Sequence, residues 1–162
     1  MEEIVTLANH PEFRTGIVPS GNIISTANET SSFFELLLRQ GSYNGAQIFQ
    51  PQTIRRAVGE DRGFAIDRAM MLPVRFGLGF MLGGNLISFF GPRTPRAFGH
   101  LGFTNVLAYA DPERDISVAF LNNGKPLLAA ELILWMRVMW TIGSRIPRDY
   151  GGRGCPGLSW RD

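Results

Sequence analysis

The chain has 162 residues, 44% of them apolar and 19% charged. These proportions suit one ordinary globular domain able to bury a core without staples, and they exclude disordered or collagen-like chains. Net charge is only +2 and sixteen basic residues include a single lysine, Lys125, so no basic patch interleaved with aromatics marks a nucleic-acid surface.

One cysteine, Cys155, makes no intrachain disulfide and fits a reducing, cytoplasmic setting. Two histidines, His10 and His100, leave no zinc-ligand spacing, so no metal and no cofactor are expected. The start, Met-Glu-Glu-Ile-Val, lacks the pattern of a secretory leader. The longest apolar stretch, Leu127 to Ile142, carries Glu131 and Arg137 and is too short to span a bilayer, so a buried helix is expected there.

In chain order, residues 1–24 read as a loop punctuated by Asn9, Pro11, Gly16, Pro19 and Gly21. Thr26 and Glu29 have capping-box spacing and open a helix. Phe33, Phe34, Leu37 and Leu38 give that helix an apolar face, and Gly41 ends it. Ser42 to Gln50 reads as a turn with a short extended piece, and Pro51 starts a short helix to about Ala57. Gly59 to Pro73 is charged and reads as irregular and exposed.

Phe76 to Leu82 predicts a strand, Gly83 to Pro95 a loop, and Ala97 to Gly102 a strand running into a tight glycine. Asn105 to Ala110 and Ile116 to Leu121 predict two strands joined by the turn Asp111-Pro112-Glu113-Arg114. Asn123-Gly124 marks a further turn, and Pro126 opens the last helix, to about Ile142. Trp135, Met136, Met139 and Trp140 are read as core packing or cover over the sheet, and Tyr109 as a core-facing strand residue. From Gly143 onward a poorly ordered tail is expected. The fold class is α+β: a helical segment, then a small antiparallel sheet covered by a long C-terminal helix. Residues 1–146 form one domain and 147–162 the tail.

The segment Phe98-Gly99-His100-Leu101-Gly102-Phe103-Thr104-Asn105, followed by Ala108-Tyr109-Ala110-Asp111-Pro112-Glu113, resembles the third motif of the β-lactamase and penicillin-binding-protein-like serine hydrolases. Lactamases usually place Lys-Thr-Gly there; esterase-like branches often have His-x-Gly. Pro19 to Leu38, Gly41 to Ala57 and Phe76-Gly77-Leu78-Gly79-Phe80 are similar, in order, to the family's preceding segments, so the resemblance covers residues 15–145.

The resemblance implies a partial β-lactamase/transpeptidase-like fold with the third motif on an edge strand beside the active site. It implies that His100 lines the site, that Gly102 admits the acyl group, and that the Phe103 backbone N–H donates to the oxyanion. A mostly neutral histidine in place of lysine favours neutral esters or amides over carboxylate-bearing lactams.

The family's nucleophile comes from Ser-x-x-Lys, with the lysine as base. The residue three before Lys125 is Asn122, so the motif is absent, and no Gly-x-Ser-x-Gly elbow replaces it. Ser42-Tyr43-Asn44 imitates a Ser-x-Asn motif but sits in the context of a surface turn. Ser20 and Ser144 have no base at motif spacing, and His10 is given no role.

The expectation is thus the C-terminal portion of a serine hydrolase that uses a serine acyl-enzyme, inactive alone. Its substrate is a small ester or amide; nucleic acid and membrane are not partners. The alternative is a non-catalytic remnant that binds a ligand or partner. Without the family's N-terminal strands, Ile116 to Leu121 is expected to present an apolar edge open to self-association.

Overall fold

The computed structural model describes residues 6–18, 21, 23–67, 72–86, 88–102, 106–122 and 129–149. It contains helices α1 (Pro11–Thr15), α2 (Ala27–Leu38), α3 (Pro51–Val58) and α4 (Ala129–Arg145). The strands are β1 (Ser42–Tyr43), β2 (Ala46–Gln47), β3 (Glu60–Asp67), β4 (Leu72–Gly77), β5 (Met81–Leu82), β6 (Phe98–Leu101), β7 (Leu107–Asp111) and β8 (Ile116–Phe120).

Local chemistry explains the first half. At the start of α2 the Glu29 N–H donates to Thr26 Oγ1 at 3.2 Å and the Thr26 N–H donates to Glu29 Oε2 at 2.9 Å, so the capping box forms. The helix stops where Gln40 and Gly41 turn left-handed, with φ of 55° and 85°, and the Gly41 N–H closes on the Leu36 carbonyl at 2.8 Å. Asn44 and Gly45, also left-handed, connect the β1–β2 hairpin. Pro51 is the first residue of α3.

β3 to β8 form one antiparallel sheet in sequential order. Alternation along β6, β7 and β8 divides its two faces. Phe98, Ala108, Ala110 and Ala119 pack with Phe34, Leu37 and Leu38 of α2 and Ile54 of α3. Leu107, Tyr109, Leu101 and Val118 pack with Trp135 and Met139 of α4 and with Phe90 of the 83–97 loop. Helices therefore cover both faces of the sheet, an α+β architecture.

Five local expectations change. The 1–24 segment contains the short helix α1, opened by Pro11 at its first turn. Within the stretch read as irregular, 59–73, Glu60–Asp67 form β3 and Leu72 and Pro73 begin β4, because each strand supplies the other's hydrogen-bonding ladder through two register shifts. The predicted strand Phe76 to Leu82 is instead the end of β4 and the whole of β5, separated by a bend at 78–80 that the Gly77 N–H closes on the Phe80 carbonyl at 2.8 Å.

The last helix is not buried all round: Trp135 and Met139 are in the core, but Ile133, Leu134, Val138 and Trp140 are exposed. It also runs past Gly143, and residues 146–149 are fastened to the β7–β8 turn by the Asp149 N–H on the Glu113 carbonyl at 2.7 Å and Arg148 on Glu113 at 2.6 Å. The Asn123-Gly124 turn, Pro126 and the remainder of the expected tail, 150–162, lie outside the described residues. Among the described residues, no helix is long and apolar enough to cross a membrane.

Candidate active site

β6 places the His-x-Gly segment. Phe98 and Gly99 are buried and His100 is exposed. His100 sits opposite Ala108 of β7, so it shares the α2-facing side of the sheet with Phe98. The edge position expected for this strand is corrected: β6 is internal, between β5 and β7. β5, however, pairs only with Phe98 and Gly99, so its ladder stops one residue before His100. Among the described residues, no strand pairs with β6 on this side beyond Gly99. There the Leu101 N–H donates to the Met81 sulfur at 3.5 Å.

His100 Nδ1 lies 2.8 Å from the Leu101 carbonyl oxygen. That oxygen can only accept, so Nδ1 carries a hydrogen, and in the Nδ1–H tautomer the lone pair is at Nε2. An exposed imidazole in this tautomer can accept a proton or a substrate hydrogen bond. Gly102 follows at the strand end, where its N–H donates to the Val106 carbonyl at 2.6 Å and closes the β6–β7 turn. A Cβ on Gly102 would stand 3.3 Å from Val106 Cβ, so this turn is one reason for a small residue here. Phe103, the expected oxyanion donor, lies outside the described residues, as do Thr104 and Asn105.

Strand pairing sets Tyr109 opposite Gly99, and the other sequence-selected residues lie on other elements. Tyr109 is 1% exposed and stacks on Phe90 with ring centroids 5.1 Å apart. Burial, reinforced by the nearby Asp111 carboxylate, pushes its phenol far above the usual tyrosine range, which suits a core residue and not a base. Tyr43 and Asn44 form the β1–β2 hairpin, as their turn reading required. Ser144 lies on α4 and donates to the Thr141 carbonyl at 3.1 Å. Ser20 and Cys155 lie outside the described residues.

The sequence reading took Asp111 for a turn former. It is one, accepting the Glu113 N–H at 3.0 Å, but it is also fully buried and paired to Arg114 at 2.7 Å. Arg114 donates in addition to the carbonyls of Gly143, Arg93, Ile146 and Pro92 at 2.9–3.4 Å. Gly99 is the second residue that sequence reasoning passed over. A Cβ there would come within 2.6 Å of Tyr109 Cα, so β6 reaches its register against β7 only with glycine.

The profile of the Beta-lactamase family matches residues 3–139. A putative D-alanyl-D-alanine carboxypeptidase of Escherichia coli (strain K12) is 23% identical over 111 residues, covering 67% of this chain and 24% of that protein. The esterase/beta-lactamase LipL of Mycobacterium tuberculosis is 23% identical over 108 residues, covering 65% of this chain and 23% of that protein. The crystal structure of a family VIII carboxylesterase superposes with a TM-score of 0.70 at 21% identity, over 85% of this chain and 37% of that one. The chain therefore spans about a quarter of the length of these curated relatives. With the profile matching most of its residues, the chain belongs to the beta-lactamase family.

Proposed function

We propose that this chain is the C-terminal portion of a serine hydrolase that cleaves small neutral esters or amides through a serine acyl-enzyme, with water completing the reaction. The observation that supports this reading best is His100, exposed near the end of β6 just past the last residue that pairs with β5. In this reading His100 is a neutral polar group beside the substrate, Gly102 leaves room for the acyl group, and the Phe103 backbone N–H stabilises the oxyanion. Loss of one such donor typically removes roughly 3–4 kcal/mol of transition-state stabilisation. Two relatives, one described as an esterase and one as a carboxypeptidase, favour acyl transfer to water as the reaction class.

The serine, its lysine and a tyrosine come from residues outside these 162, because no Ser-x-x-Lys occurs in the sequence. The reaction as proposed needs no cofactor or metal. The single thiol and the lack of a basic patch favour a cytoplasmic protein without a nucleic-acid partner. The purified chain is expected to hydrolyse neither p-nitrophenyl acetate nor butyrate above blank and to take up no fluorophosphonate label. Turnover that labels one serine and falls in His100→Ala would place the nucleophile within the chain and overturn this assignment.

A second reading, a binding remnant that self-associates, is favoured by one observation. β8 is the last strand of the sheet and, among the described residues, pairs only with β7. Phe120 at its end and Ile133, Leu134 and Trp140 on α4 are exposed, and Ile116-Ser117-Val118-Ala119-Phe120 contains no charge to repel a further strand. Light scattering over a concentration series is expected to show a small, defined oligomer. A monomer throughout argues against this reading, and polydisperse growth identifies the edge as an aggregation surface instead.

A further inference from the structure

The turn from Asp111 to Asp115 lies at the opposite end of β7 from His100, and each charged residue in it holds a different part of the molecule. Asp115 accepts from Arg39, just past the end of α2, at 2.6 Å, and Arg39 Nε also lies 3.9 Å from Glu35. Glu113 pairs with Arg148, beyond the end of α4, at 2.6 Å, while its carbonyl accepts the Asp149 N–H. Asp111 and Arg114 form the buried pair, and Arg114 spreads its remaining donors over the last turn of α4 and the 92–93 stretch of the long loop.

α2 and α4 cover opposite faces of the sheet. Five consecutive residues thus tie both covers and the loop between β5 and β6 to one turn. The geometry has a cause in the chain. Asp111 alternates with Tyr109 and Leu107 onto the α4 side, while the left-handed Asp115, φ 53°, ends the turn and reaches Arg39 beyond the α2 side.

We propose that this turn is a coupling clasp: it makes the end of α2, the 92–93 loop and the 143–149 strap open and close as one cooperative unit, so that loosening one cover loosens the other. This role is independent of the catalytic reading. Local opening ordinarily occurs in contiguous units; α2 and α4 pack on opposite faces of the same strands, and this turn adds a direct polar link between the ends of the two covers.

The test is amide hydrogen exchange on the full chain, comparing wild type with Asp115→Asn and Glu113→Gln. Both changes remove one partly exposed ion pair and leave the buried pair intact. Asp115→Asn is expected to speed exchange about threefold to fivefold at 37–41 and, by a similar factor, at 143–149, which it does not touch. Glu113→Gln is expected to show the reciprocal pattern. Acceleration confined to each variant's own side overturns the clasp. Equal acceleration across the whole chain, β6 and β7 included, also overturns it, because that is loss of global stability and not coupling.

Discussion

Arg114→Met is expected to destabilise the fold by about 3–5 kcal/mol at pH 7.5, the usual cost of removing one partner from a buried ion pair. Asp111 has a fully buried side chain and Arg114 leaves only 3% of its own exposed. Methionine fills part of the arginine stem but donates nothing. Asp111 keeps the Glu113 N–H, and the carbonyls of Gly143, Arg93, Ile146 and Pro92 lose a common donor.

The pH dependence of this loss has a definite sign. Burial already raises the Asp111 carboxyl above its ordinary value, and the Arg114 hydrogen bond and charge act against that rise. Without Arg114 the folded-state value climbs further. A carboxyl raised in the fold favours folding in its neutral form, and that contribution is present at low pH and lost as pH rises through the folded value. The deficit of Arg114→Met is therefore largest at pH 7.5 and narrows by pH 5. Urea denaturation at the two pH values measures it. A deficit that widens in acid shows that an uncompensated carboxylate is not its source, and adding Asp111→Asn to the variant is expected to recover part of the loss at pH 7.5 only.

That pair illustrates why some of this molecule could be read from its residues and some could not. The capping box at Thr26 and Glu29, the Asn44-Gly45 turn, Pro51 at a helix start and the Asp111-Pro112 turn are all set by chemistry within four or five residues, and each forms where its sequence predicts. Asp111 also reads as a turn residue because its burial is created by α4 and the 92–93 loop, which lie about twenty to thirty residues away and carry no local signal.

β3 was missed for a related reason: its charged residues suggest a surface loop, and only pairing with β4 makes it a strand. Apolar residues fall on every side of α4, so its pattern predicts a helix without saying which side is buried, and Trp140 proves to be exposed where Trp135 is core. At the candidate site, the sequence located His100 and Gly102 at the end of a strand. That the strand is internal, and that its pairing with β5 ends at Gly99 because β5 is only two residues long, is a property of the sheet.

Gly99→Ala is expected to cost about 3 kcal/mol, the upper end of what an inserted methyl group ordinarily costs, because the obstruction is backbone and not a flexible side chain. Gly99 pairs with Met81 on one side and Tyr109 on the other. Its missing Cβ points at the Ala108 carbonyl, Tyr109 Cβ and Tyr109 Cα, the last at 2.6 Å. None of these can move unless β6 and β7 separate, and Tyr109, which stacks on Phe90, lies at the point of separation.

Gly45→Ala is the control. Nothing lies within 4 Å of its Cβ position, but its φ of 82° is left-handed, so its cost is conformational and about 1 kcal/mol. Urea denaturation of both variants gives the two costs, and ring-current shifts of Tyr109 and Phe90 report whether the stack survives. His100 is the next residue along β6, so a displaced Gly99 carries the imidazole with it and changes the environment of its ring protons. If Gly99→Ala is as stable as Gly45→Ala and leaves the His100 signals in place, then β6 can shift against β7 at little cost. The tight register would then not be what fixes His100 beyond the end of β5.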